Sequence, residues 1–200
     1  MNLKIAAALA AALPALALAS PETWSIDAAH SSSSFAVKHL VVSKVRGQFN
    51  KTTGTIKLDP SDLARSSVDA SIDATTIDTR EPQRDAHLKS PDFLDTARYP
   101  AITFHSTGVA AAGKGRLNVT GDLTLHGVTK PVVLEVTTSP EVKGMAGEPR
   151  RGFSATTTLH RKDFGLTWNK LLEAGPAVGD DVEIVLDLEA TKEPPKAALR

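Results

Sequence analysis

The sequence contains no cysteine. Its absence removes disulfide scaffolds, thiol nucleophiles and every zinc site that requires sulfur, so any metal or nucleophile chemistry has to rest on six His and the oxygen-bearing side chains. Aromatic residues are scarce: two Trp, one Tyr and six Phe in 200 residues. An interior must therefore be assembled mostly from Val, Leu, Ile and Ala. Nor is there an excess of either charge, since 23 basic side chains face 23 acidic ones. The chain as a whole has no net field to draw in nucleic acid, which speaks against a charge-driven nucleic-acid binder. The length fits one domain with a modest core.

What is present begins with Lys4 followed by an almost uninterrupted Ala/Leu run ending in Ala17-Leu18-Ala19. A single positive residue, an apolar stretch and a small-x-small ending describe a secretory signal peptide over residues 1–19, cleaved after Ala19. Read as a membrane span, the stretch is short, carries Pro14 and runs into Ser20-Pro21-Glu22-Thr23 with no basic stop-transfer cluster. No cysteine follows to take a lipoprotein anchor. The expected product is a slightly acidic periplasmic domain with no stable membrane insertion. Without disulfides its stability must come from the core alone.

From Glu22 onward the dominant signal is alternation. Leu117, Val119, Gly121, Leu123 and Leu125 interleave with Asn118, Thr120, Asp122 and Thr124. Period two over this length is a strand with one wet face. Val182, Ile184, Leu186 and Leu188 repeat the pattern with Val185 as its exception, and shorter versions occur around Ile56, Val68, Ile102, Val132 and Phe153. Turn signals separate them: Asp59-Pro60-Ser61-Asp62, Gly113-Lys114-Gly115, His126-Gly127 and the Gly/Pro-rich 139–151 segment. Seven to nine such strands describe an all-β antiparallel sheet that closes on itself or packs on another. Only the 79–95 region departs from the pattern. Its prolines predict two short helices near residues 81–96, the second beginning at Ser90-Pro91-Asp92, with Leu88, Phe93, Leu94 and Tyr99 pointing inward to cap one barrel end. The organisation expected is one domain over 20–190 and a flexible tail over 191–200.

The inward positions predicted by alternation are almost purely apolar: Phe35, Val37, Phe49, Ile72, Phe104, Leu123, Leu125, Leu134 and Phe153. Ala70, Gly121 and Ala155 are small where a filled barrel would place larger groups, which leaves room inside. An eight-stranded barrel is close to the size at which the interior is either filled by side chains or holds one small ligand. The plain alternative is that these residues are the packed core of a one-sided sheet.

Candidate catalytic groups are sparse. Asp27, His30 and Ser31 lie close together in sequence, but their expected use is turn hydrogen bonding. Arg84-Asp85-Ala86-His87 holds an acid and an imidazole on a short helix, where a structural ion pair is the simpler use. His39 and His126 are isolated, no His-x-His or His-x-x-x-His spacing suggests a chelate, and no Gly-x-Ser-x-Gly elbow is present. The alternative function resting on these groups is a stress-related enzyme or metal-binding protein using His30, Asp85 and His87. A partner-binding sandwich with an exposed apolar patch is a third reading.

One ordered set of residues resembles a known family. Trp24-Ser25-Ile26-Asp27, His30-Ser31, Phe35, Val37, His39-Leu40, Val45-Arg46-Gly47, Phe49, Thr79, Arg84-Asp85, His87-Leu88, Asp92-Phe93, Tyr99-Pro100, Ile102-Thr103-Phe104, Gly121 to Leu125, Gly127 to Pro131 and Phe164-Gly165 together resemble the YceI-like family. The resemblance covers Trp24 to Ala190. It implies an eight-stranded antiparallel lipocalin-like barrel whose apolar tunnel holds a polyisoprenoid lipid, either an isoprenoid quinone or a polyprenyl phosphate. It also implies a carrier that is no enzyme and requires no cofactor; a homodimer is left open. With the alternation, it gives a ligand-contact set of Phe35, Val37, Phe49, Ala70, Ile72, Leu88, Phe93, Phe104, Leu123, Leu125, Leu134, Phe153, Ala155 and Trp168. Lys38, Lys44, Arg46 and Lys170 are the bases expected near a mouth, where a phosphate would pair with them.

Overall fold

In a computed structural model, the chain is described over residues 20–40, 42–173 and 175–194. The proposed signal peptide, residues 1–19, and the last six residues lie outside the described residues.

The strands are β1 (Glu22–Ile26), β2 (Ser32–His39), β3 (Ser43–Phe49), β4 (Thr52–Leu58), β5 (Ser67–Asp73), β6 (Ile77–Asp78), β7 (Ala101–Gly113), β8 (Arg116–Leu125), β9 (Val128–Thr138), β10 (Val142–Lys143), β11 (Pro149–His160), β12 (Leu171–Leu172), β13 (Gly175–Pro176) and β14 (Val178–Lys192). Among the described residues there is one α-helix, α1 (Pro82–Lys89), between β6 and β7.

Three pairs of these segments are single long strands interrupted by a turn: β1 with β2, β3 with β4, and β5 with β6. The pairing shows it, because β1 lies against β4 while β2 lies against β3, and β4 against β5 while β3 lies against β6. Two of the interruptions share one device. Asp27 and Asp73 each open a 3-10 turn, their carboxylates accepting from the N–H of Ala29 at 3.0 Å and of Thr75 at 3.1 Å. Counted this way, eight long strands follow one another as an antiparallel meander, and β14 closes the ring against β1 and β2. Closure leaves no open edge in the main wall.

Inside and outside follow the alternation. Along β8, Val119 and Leu125 are buried while Asn118, Thr120 and Asp122 are exposed; Val185, the exception in β14, indeed faces solvent at 41%. The outer wall is thus polar, the reverse of a membrane barrel. Strand directions place Trp24, the 59–66 and 139–148 loops and Lys192 at one end of the barrel, hereafter the closed end. The 40–42 turn, α1 and the 161–177 segment stand at the other, the capped end.

The closed end is plugged by Trp24, fully buried, with the Arg151 guanidinium 5.1 Å and the Lys192 ammonium 5.4 Å from its ring. Lys192 also pairs with Glu22 at 2.6 Å. β14 continues through Lys192, and Glu193 donates to the Thr23 carbonyl at 2.8 Å, so Thr191 and Lys192 belong to the wall and not to a tail.

At the capped end, α1 forms as expected, with Pro82 in its first turn and Glu81 accepting from the Gln83 N–H. The second expected helix does not form. After Ser90 the chain makes successive turns and doubles back on α1: Leu94 and Thr96 donate to the Leu88 and Lys89 carbonyls, both at 3.0 Å. Those bonds satisfy acceptors that a helix end leaves orphaned, whereas a four-residue second helix would have paid nucleation for almost no internal bonds.

Candidate functional site

The interior of the barrel is hollow. The cavity has a volume of about 240 Å³, on a measure by which one water needs roughly 10–15 Å³. All eight long strands contribute to its wall, as do Leu88, Phe93 and Leu94 from the cap. Almost no polar atom is accessible within it. Thirteen of the fourteen residues expected as ligand contacts stand on this wall: Phe35, Val37, Phe49, Ala70, Ile72, Leu88, Phe93, Phe104, Leu123, Leu125, Leu134, Phe153 and Ala155. Trp168 does not. It stacks outside Phe93, ring centres 5.0 Å apart, and against His87 at 4.9 Å. Tyr99 is likewise outside the cavity, with its ring on His126.

The small residues divide in use. Ala70 and Ala155 line open space, but the room at Gly121 is already taken. A Cβ there would lie 2.4 Å from Phe104 Cζ and 2.6 Å from the His105 carbonyl oxygen, so this glycine seats the Phe104 ring. Gly47 does the same for Phe35 at 2.5 Å.

Leu94, expected to point inward from the cap, is on the wall, and wall residues outside the expected ligand-contact set also include Ile77, Leu159, Leu166 and Val182. Leu159 and Val182 were visible as alternating positions; Leu166, in an irregular segment, had no periodic signal. Arg161 was also missed. It is 3% exposed and borders the cavity. Its guanidinium donates to the carbonyls of Leu166, Trp168 (2.9 Å) and Gly179 (2.9 Å) and pairs with Asp180 at 3.0 Å. It therefore ties the 161–179 segment together across the capped end.

The bases expected to meet a phosphate do not face the cavity. Lys38, Lys44 and Arg46 occupy outward positions of β2 and β3, and Lys44 pairs with Glu183 at 2.5 Å. Lys170 is exposed on the capping segment. The strand period forces this result, because Phe35, Val37 and Phe49 take the inward positions.

The residues of the catalytic or metal alternative do not converge. Asp85 accepts from the Thr79 N–H at 2.9 Å and hydroxyl at 2.5 Å, and Arg84 donates to that hydroxyl and to the Thr79 carbonyl, making a knot at the start of α1. His87 bonds to Asp92 at 2.9 Å. His30 bonds to Asp27 at 2.8 Å, on the outer surface. Among the described residues, Asp27, His30 and Glu189 bring three potential metal ligands within 4.8 Å. Their charge is already met by Arg150, which contacts Asp27 at 2.9 Å, Glu189, and Glu148 at 2.6 Å. Bonds from His30 and Arg150 hold the Asp27 carboxyl down to about 2, and the three carboxylates raise the already basic Arg150 further.

Fold and site together define a class: a hollow up-and-down β-barrel of lipocalin type with an apolar interior. Residues 24–190 match the YceI-like domain. The chain belongs to the YceI-like family. It is 38% identical over 191 residues to a UPF0312 protein of Vibrio parahaemolyticus, covering 92% of this chain and 94% of that one. A UPF0312 protein of Vibrio cholerae is 44% identical over 138 residues, 69% of this chain and 73% of the relative. Among solved structures, Burkholderia cenocepacia BcnA superposes with a TM-score of 0.74 at 28% identity, covering 83% of this chain and 99% of the other. A polyisoprenoid binding domain from Saccharophagus degradans, implicated in plant cell wall breakdown, superposes with a TM-score of 0.64 over 85% of this chain and 98% of its own. At 17% identity that likeness is one of fold. No helix among the described residues is long and apolar enough to cross a membrane.

Proposed function

We propose that this protein is a periplasmic carrier or storage protein that encloses a polyisoprenoid lipid, an isoprenoid quinone or a polyprenyl phosphate, without making or breaking a bond. The observation that carries the reading is the cavity wall, continuous and almost wholly apolar from the Trp24 end to the α1 cap. Removing such a chain from water is worth roughly 0.8 kcal/mol per methylene, hence about 4 kcal/mol for each five-carbon unit before ordering costs. The polyisoprenoid-binding relative of the same fold supports the choice of cargo, and the signal-like residues 1–19 support export.

The head group belongs outside this wall. Among the described residues two bases border the cavity, but Lys57 is exposed and the guanidinium of Arg161 is engaged by backbone carbonyls and Asp180. A buried phosphate would meet no available cation there, so the cavity is a site for the chain of the lipid. No cofactor is required for this role.

The test is uptake by delipidated protein. Titration with an isoprenoid quinone and separately with a polyprenyl phosphate should reach about one lipid per barrel, and Ala155→Trp, which fills the cavity, should abolish uptake. Unchanged uptake by folded Ala155→Trp protein would remove the cavity from the account.

A further inference from the structure

Each joint of the barrel ring is paired, but one over only part of its length. β11 runs against β14 from Arg150 to His160, whereas it meets β9 through residues 153–156 against 135–138. Residues 128–134 of β9 and 157–160 of β11 therefore border a seam with no ladder across it. The sequence builds this gap in. Thr138 donates to the Gly115 carbonyl at 2.9 Å, and the register of β9 against β8 runs without a bulge, so even-numbered backbone groups of β9 face β8 and odd-numbered ones face β11. Pro131 thus stands on the seam side, where its missing N–H costs no ladder bond. Lys130 takes an inward position of the same strand, in line with Val132 and Leu134, and is nonetheless exposed.

The seam opens onto the cavity, which is lined by Val132 and Leu134 on one side of it and by Thr157 and Leu159 on the other. What fills it is no strand but the 3-10 turn Arg161–Phe164 and the residues after it. Phe164 and Leu166 are buried in one apolar cluster with Leu125, against which Val128, Val132 and Leu159 pack. This plug is fastened unequally. Toward β14 it is held by Arg161, on the Gly179 carbonyl and Asp180, and by Lys162 on Asp180 at 2.7 Å. Toward β9, among the described residues, one hydrogen bond holds it: His126, in the β8–β9 turn, donates from Nδ1 to the Phe164 carbonyl at 3.2 Å. Charge-assisted bonds anchor one side and a single long bond closes the other.

We propose that the guest chain enters and leaves the cavity sideways, between β9 and β11, when the 161–166 segment swings away from β9 about its anchorage on β14, and that His126 is the latch. This rests on the carrier reading for the identity of the guest; the route itself serves any apolar molecule. Opening here breaks no strand ladder. A path under α1 has to undo the bonds of Thr79 with Asp85 and Arg84, and a path through the closed end has to displace Trp24 from beneath Arg151 and Lys192.

The test is exchange kinetics on the full-length, delipidated protein by stopped flow, with the neutral dye N-phenyl-1-naphthylamine and with geranylgeraniol read by displacement of the dye. His126→Gly removes the latch and keeps the turn, because both turn residues have positive φ, 53° at His126 and 74° at Gly127. Association and dissociation should both quicken by about three- to tenfold, the weight of one hydrogen bond, at an unchanged Kd. His126→Asn, whose amide N–H stands as far along the side chain as Nδ1, should restore slow exchange. Thr79→Val, which loosens α1, and Lys192→Met, at the closed end, should leave the rates as they are. Unaltered rates in His126→Gly, or faster exchange in Thr79→Val or Lys192→Met instead, overturn the side route. A Kd that moves in step with the dissociation rate overturns the latch, since His126 would then act on affinity. The two readings fail separately: dye exchange governed by His126 with no geranylgeraniol bound removes the carrier function, whereas geranylgeraniol bound with rates indifferent to His126 removes only the door. A barrel that takes up neither probe overturns both.

Discussion

The ring of Phe104 occupies the place where a side chain on Gly121 would stand; the two are diagonal neighbours on adjacent strands, Phe104 opposite Leu123 and Gly121 opposite Ser106. Gly121→Ala should therefore destabilise the barrel by roughly 1–3 kcal/mol through overpacking. Urea unfolding checks it, and adding Phe104→Leu should restore part of the loss, the contact with the His105 carbonyl oxygen remaining. Equal losses in the single and double variants would break the assigned relationship.

Arg161 holds four acceptors at the capped end. Arg161→Ala should cost about 3–5 kcal/mol, since three carbonyls and Asp180 lose a common donor in a buried place. Hydrogen exchange should quicken first within residues 161–179, and Arg161→Lys should recover little because an ammonium cannot span that geometry.

Asp27 has its carboxyl lowered from 3.8 to about 2 by its bonds to His30 and Arg150. A group depressed in the folded state contributes stability that is complete above its unfolded value and is lost as pH falls toward the folded one. Thermal unfolding of the unmodified protein should therefore drop between about pH 4 and pH 2, and Asp27→Asn should flatten that limb. An identical acid limb in the variant would assign the loss to other carboxylates.

His30→Ala should be mild, below about 1 kcal/mol, because the ring is 61% exposed and Arg150 remains on Asp27. Loss of lipid uptake at full stability in this variant would point to a role for the imidazole that the geometry does not assign.

Much of this architecture was legible in the sequence because the strand period is local. Leu117 to Leu125 states its own inside and outside, and even Val185 reads correctly as an exception. Thirteen cavity residues follow from that period together with the family resemblance. What was not legible is set by distance or by irregular backbone. Asp27 and Arg150 are 123 positions apart, and no pattern joins them before the barrel closes. The turns after Ser90 depend on α1 carbonyls waiting for donors, a tertiary circumstance that the local Ser-Pro-Asp signal for a helix start cannot register. Gly121 was visible as a small inward residue, but only the register of β7 against β8 shows that Phe104 fills its place.

The most direct measurement of the central claim is mass spectrometry of the protein isolated from its own host, intact under native conditions and again after organic extraction. The carrier account predicts one prenyl chain per barrel, released by the solvent, whose mass distinguishes quinone from phosphate. A ligand-free protein that also takes up no added isoprenoid would contradict it.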